Sequence, residues 1–417
     1  MSAIRAGLRQ ELAELTGLGR LRQRPVIDSP ADRVIQLREG GARRTLVNWA
    51  SNDYLGCANR LTVKNEASRA LRRFGAGAGA ARLLAGGLAV HRRLELRLAR
   101  WLGTQEVLLT TTGFQANLAA VVGLMSDPED VVLLDRMCHA STYDGARLAT
   151  GTLLRFRHND LEDLARQLER TTSARRRIVC VESVYSMDGD EAPLAGIHAL
   201  CREHDALLLV DEAHALGVFG PNGRGRCAEL GVVPDLLIGT CSKSFGAQGG
   251  FLAGDSELVE LVVNRGRAFI FSTAAVPAAV GAALGALDLM EGNPTWPGEL
   301  QGRAIALRAT LRAQGWAVPE GRSPIIPLVV GSEAAALELA ARLRAAGHFA
   351  PAIRPPTVPE GSCRLRLTLT LAHREVDVRR LVKALAGLVP ALLPVQPPAS
   401  QASASTCDVS SSLNPPA

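Results

Sequence analysis

The chain is 417 residues long, 47% hydrophobic and 21% charged, with a formal net charge of +6; that length holds two or three structural units with ample surface to bury a core. The composition excludes a fibrous, low-complexity or disulfide-stapled protein, and basic residues scattered without a stripe of interleaved aromatics argue against a nucleic-acid partner. Eight cysteines with no C-x-x-C pair and no zinc spacing predict reduced thiols in a cytoplasmic protein and no metal site.

Residues 1 to about 24 carry Leu8, Leu12, Leu15 and Leu18 near helical spacing, with charge throughout. They predict an amphipathic helix rather than a secretory leader. A short hairpin region follows, then SNDYLG (51–56), dense in turn formers. The run GAGAGAAR (75–82) resembles a dinucleotide fingerprint, but that motif must follow an apolar strand. Here the preceding residues, 66–74, read as a helix, so a nicotinamide site is rejected.

From residue 107 the pattern alternates strand and helix. Seven apolar runs stand at 107–109, 131–134, 153–154, 178–181, 206–210, 236–238 and 251–253. Near-continuous apolar strands alternating with helices predict an α/β fold around a mostly parallel seven-stranded sheet, covered on both faces. The longest apolar stretch, 269–290, is broken by Pro277 and Asp288 and reads as a buried helix, so no membrane span is expected. A joint at about 291–297 leads into a smaller C-terminal α+β unit with strands at 325–330 and 364–371, the second alternating in polarity. The expected layout is an N-terminal helix and arm (1–50), a large domain (51–292), a small domain (293–393) and a disordered tail (394–417) rich in Pro, Ser and Ala.

The strand ends carry the chemistry, because ligands of such sheets gather beyond the carboxyl ends of the strands. The first strand runs into TTTGFQAN (110–117), a hydroxyl-and-glycine turn opening a helix, of the kind that binds phosphate through backbone N–H groups. The second ends before His139, the fourth at Glu182, the fifth at DEAH (211–214), and the sixth at Thr240 and Lys243. Lysine is scarce: among 47 basic residues only Lys64, Lys243 and Lys383 are lysine. An amine can shed its proton and form a Schiff base, which a guanidinium cannot do. DEAH also spells a helicase-type box, but no lysine follows a glycine, so the partner phosphate loop is missing; nor is there a G-x-S-x-G elbow. A carboxylate, two imidazoles, hydroxyls, a phosphate-type turn and an amine on one rim match the needs of pyridoxal phosphate: the amine captures the aldehyde and the carboxylate keeps the ring nitrogen protonated.

SNDYLG (51–56), TGF (112–114), HAS (139–141), SMDGD (186–190), DEAH (211–214), T-x-x-K (240–243) and FST (271–273) together resemble the α-oxoamine synthase family. The resemblance spans roughly residues 15 to 392. It implies the fold-type I architecture of pyridoxal phosphate transferases, a homodimer with shared active sites, and the joining of an amino acid to an acyl-CoA or acyl-carrier thioester with loss of CO2. AIRPPTVP (352–359), RLRLTLT (364–370) and AH (372–373) resemble the members that use L-alanine and a pimeloyl thioester for biotin; a glycine-using branch is the alternative. Lys243 is then the Schiff-base residue and base at Cα. Asp211 pairs with the ring nitrogen, His139 stacks on the ring, and His214 and Ser186 bond its substituents. Gly113, Phe114 and Thr240 hold the cofactor, and Thr273 reaches the phosphate of the partner subunit's site. Arg354 is expected at the amino-acid carboxylate, where a planar fork suits the task, and Asn52, Thr357 and Arg22 at substrate. The usual serine-bearing segment GSGGSR of the family is GAGAAR (77–82) here, and the run after FS is TAAVP (273–277).

Overall fold

Seven strands of the central sheet bury both faces, and period-2 alternation sorts their side chains into two cores. Val132, Leu134, Ile178, Cys180, Leu209 and Ile238 enter one apolar cluster. Their chain neighbours Val131, Leu133, Val179, Val181, Leu208 and Val210 enter another. In this computed structural model, which describes residues 3–388, the strands run in the order Glu106–Thr110, Gly250–Gly254, Leu236–Thr240, Leu207–Asp211, Arg176–Glu182, Asp130–Asp135, Thr152–Phe156 across the sheet. Only Gly250–Gly254 pairs antiparallel with its neighbours, so the sheet is mostly parallel, as the fold-type I resemblance implies. The helices between the strands lie on the two faces. Leu164 and Leu168, with Ile197 and Cys201, cover one face; Ala116, Ala120 and Leu124, with Val259 and Val262, cover the other.

Local signals set the elements that matter here. Thr112 caps the helix Gly113–Leu124 by accepting the Gln115 N–H at 3.1 Å, which satisfies one of the free donors of the first turn. Pro277 opens the helix Pro277–Gly292, where its missing N–H costs nothing. Ten positions of that helix are buried, as its all-round apolar sequence requires. No helix among the described residues is long and apolar enough to cross a membrane.

A three-stranded sheet, in the order Ile325–Gly331, Cys363–Thr368, Ala352–Ile353, and a four-stranded sheet that adds His348–Phe349 to Ala42–Asn48 complete the described chain. Two expectations change. The alternating strand ends at Thr368, and all six of its residues are buried; Arg364 and Arg366 are sequestered rather than solvated, each with polar partners (below). The N-terminal helix is Ala3–Gly17, and it buries none of its residues. The seven described cysteines are unpaired and six are buried. The segment 394–417, expected to be disordered, lies outside the described residues.

Candidate active site

A cavity of about 230 Å³ opens at the carboxyl ends of the central strands, lined by Gly113, Phe114, His139, Asp211, His214, Thr240 and Lys243 among others. Lys243 sits in a turn three residues beyond the strand Leu236–Thr240. The turn closes through the Gly246 N–H donating to the Lys243 carbonyl at 2.8 Å. Gly246 has φ +60°, and a Cβ there would lie 2.2 Å from the Ala58 backbone nitrogen, so only glycine lets the turn pack against that backbone. Burial lowers the Lys243 amine to about 8, against the pull of Asp211 and Glu182.

Asp211 is 7% exposed. Its Oδ2 accepts from Asn117 Nδ2 at 2.8 Å and its Oδ1 from the Ala213 N–H at 2.9 Å. Asn117 stands one helical turn past Gly113, which brings both to the same side, and it also donates to Ser141 Oγ at 3.0 Å. In register beside Asp211, on the neighbouring strand, is Glu182. It is 3% exposed, its Oε1 has no hydrogen-bond partner among the described residues, and it lines the same cavity. Burial first, and Asp211 second, raise its carboxyl well above the ordinary range, because a second negative charge so near the first is costly.

The two imidazoles lie on the cavity wall. His139 caps the helix Ala140–Leu148, with Nδ1 at 2.7 Å from Ser141 Oγ, and its ring meets Phe114 edge-on at 6.2 Å. Burial, then Lys243, lower its pKa against the pull of Asp211. His214 is held well below its usual range by burial, with Lys243 and Arg366 acting in the same sense. Both rings are neutral at neutral pH. The Thr240 hydroxyl bonds the Gly249 carbonyl at 2.9 Å and Ser242 Oγ at 2.8 Å.

The remaining expected residues lie apart from this lining. Asn52 Oδ1 accepts from Arg366 at 2.9 Å, and the Ser186 carbonyl accepts from the same guanidinium at 2.5 Å. Arg22 donates to Thr357 Oγ1 at 2.9 Å, and Arg354 donates to the Gly19 carbonyl; these three gather beside the N-terminal arm. Thr273 pairs with Ala81 across an isolated bridge and borders a separate crevice with Thr110, Thr111 and Gln115. Sequence reasoning missed Asn117, Tyr54 and Arg366 and did not assign Glu182 a role. The helical spacing from Gly113 could have found Asn117; nothing local signals Arg366.

The family model for aminotransferase class I and II matches residues 44–385. A relative from Anaeromyxobacter sp. (strain K), named 8-amino-7-oxononanoate synthase, is 46% identical over 93% of this chain and 96% of its own. Another of that name, from Azoarcus sp. (strain BH72), is 42% identical over 92% and 98%. Among solved structures, a Sphingomonas wittichii serine palmitoyltransferase superposes with a TM-score of 0.84 at 31% identity over 92% of this chain and 96% of its own. A structure of SPT with PLP internal aldimine gives 0.86 at 29% over 93% and 98%.

Proposed function

Because the chain belongs to the class I and II aminotransferase family, and within it to the α-oxoamine synthases, we propose that it carries out the 8-amino-7-oxononanoate synthase reaction of biotin biosynthesis. It is a pyridoxal-phosphate-dependent acyltransferase. We take its substrates to be L-alanine and pimeloyl-CoA, or the same acyl group on a carrier protein, condensed with loss of CO2 and release of the thiol.

The side chains of the cavity fit pyridoxal phosphate. They offer an amine with a lowered pKa, a carboxylate accepting two hydrogen bonds, two neutral imidazoles, and a helix N-terminus whose first N–H groups suit a phosphate. When bound through Lys243, the cofactor supplies a sink for the electron pair left at the amino-acid Cα. Asp211 holds a proton at the ring nitrogen. His139 covers the ring face and His214 bonds a ring substituent, while Ser186, outside the lining, holds Arg366 through its carbonyl. Gly113, Phe114 and Thr240 hold the phosphate side. Lys243 takes the Cα proton and returns it, general-base work worth about 10²–10⁴-fold.

Two guanidiniums compete for the amino-acid carboxylate. Arg366 is buried, bonds Asn52 and bears electrostatically on Lys243; Arg354 is bound to the arm. We assign the carboxylate to Arg366 with Asn52, which leaves Arg354, Arg22 and Thr357 to the approaching acyl substrate. We also propose a cytoplasmic homodimer with shared sites. Leu84 and Phe271 are 77% and 71% exposed, the latter two residues before Thr273, and the helix Ala3–Gly17 leaves its leucines uncovered.

One observation carries the proposal: the half-buried Lys243, Asp211 and both imidazoles border one cavity. The test is a visible spectrum of wild type and Lys243→Ala with pyridoxal phosphate, then turnover of L-alanine against glycine with several acyl-CoAs. A wild type that takes up no cofactor would overturn the enzyme reading in favour of a scaffold that keeps the fold. The likeness to serine palmitoyltransferases favours, as second reading, another amino acid and acyl-CoA. Turnover with glycine alone would select that branch, as in a 2-amino-3-ketobutyrate CoA ligase.

A further inference from the structure

Tyr54, fully buried, stands behind His214. Its hydroxyl has two partners among the described residues: His214 Nδ1 at 2.6 Å and Arg366 Nη2 at 3.3 Å. A guanidinium offers N–H donors and no acceptor, so the contact with Arg366 uses a lone pair of the phenol oxygen. The phenol proton then has one acceptor left, His214 Nδ1. Were Nδ1 protonated instead, the phenol oxygen would receive two donors and its own proton would be buried without a partner, which is costly.

We infer that Tyr54, anchored by Arg366, fixes His214 as the Nε2–H tautomer, so that the imidazole offers the cavity a hydrogen-bond donor and not an acceptor. Both are positioning residues in this role: they act through His214. The surroundings keep the two partners in the required state. Burial raises the Tyr54 phenol, so it keeps its proton, and burial with Lys243, Arg366 and His139 keeps His214 neutral. Arg366 is itself held, its Nη1 donating to Asn52 Oδ1 at 2.9 Å and to Thr368 Oγ1 at 3.1 Å. A donor of fixed direction complements negative charge on a ring oxygen and needs no reorganisation when that charge develops; an acceptor in its place would repel it.

This inference rests on the proposed seating of the cofactor ring beside His214, and its test separates the two. The full chain is labelled with ¹⁵N-histidine and studied by long-range ¹H–¹⁵N correlation, with and without pyridoxal phosphate; His214→Asn assigns the signal. Wild type should show the Nε2–H pattern at His214 in both states, and Tyr54→Phe should lose it or show a mixture. In the holoenzyme, Tyr54→Phe should shift the acid–base midpoint of the visible band and raise the cofactor dissociation constant about tenfold, the scale of one hydrogen bond to a charged group. An Nδ1–H pattern in wild type, or an unchanged tautomer in Tyr54→Phe, overturns the inference. If Tyr54→Phe does not fold, the wild-type pattern alone decides. No visible band in wild type, with the tautomer as expected, overturns the proposed function and leaves the tautomer assignment standing.

Discussion

Lys243 should react as an amine of pKa about 8 in cofactor-free protein, against an ordinary 10.5, because burial takes its ammonium out of water. At pH 7 an amine at 8 is free base about one time in ten, and one at 10.5 about one time in 3,000. The fold thus supplies roughly a 300-fold gain in reactive amine. The assay is the rate of modification of the Lys243 peptide by an amine-selective reagent, followed by mass spectrometry from about pH 6 to 10. The exposed Lys64 and Lys383 in the same digest report the reagent's own pH dependence. The rate should climb tenfold per pH unit and level off at about 8. Asp211 raises the Lys243 pKa, so Asp211→Asn should move the plateau to lower pH. A rate that still climbs tenfold per unit through about pH 10 would mean a solvated ammonium, and the burial argument would be refuted.

Three other predictions concern the supports of the site. His158 bonds Asp135 at 2.9 Å and Asp190 at 2.8 Å; against the effect of burial, those bonds raise the imidazole to about 10. Its unfolded pKa is about 6.5. Its contribution to stability is therefore full below about 6.5 and lost as pH rises through about 10. The gap in melting temperature between wild type and His158→Asn should close across that window; an equal gap on both sides of it would refute the pairing. Gly246→Ala puts a Cβ against Ala58 backbone at positive φ, and should cost more than about 1 kcal/mol in urea melts and abolish the visible band. A stable, coloured Gly246→Ala protein would show that the turn is freer than its packing. Asn117→Ala removes a donor to a carboxylate, and should raise the cofactor dissociation constant about tenfold or more, measured by titrating cofactor-free protein.

The sheet and the rim were legible because their signals are local. Apolar runs such as 131–134 and 206–210 can be buried only between two layers of helices, and their polar ends fall where a parallel sheet gathers ligands. Asp211, His214 and Lys243 could thus be placed on one edge from spacing alone. The N-terminal helix was legible as an element but not in its burial: its leucine stripe tells what the helix avoids, not which surface covers it, and none of the described residues does.

Arg366 shows the physical limit. Alternation of Arg and Leu in 364–367 reads as a half-exposed strand, since a lone arginine is rarely buried. The strand is buried throughout because each guanidinium meets a partner from far along the chain: Asp188 for Arg364, and the Ser186 carbonyl, Asn52 and Tyr54 for Arg366. Those contacts span 176 to 314 residues, and no periodicity encodes them. A side chain's type announces a demand, here for acceptors; only the fold says who meets it. The guanidinium so held bears on the chemistry, since it adds to burial in lowering the pKa of both Lys243 and His214. The part of the site that sequence could not reach is therefore one of the parts that set its protonation states.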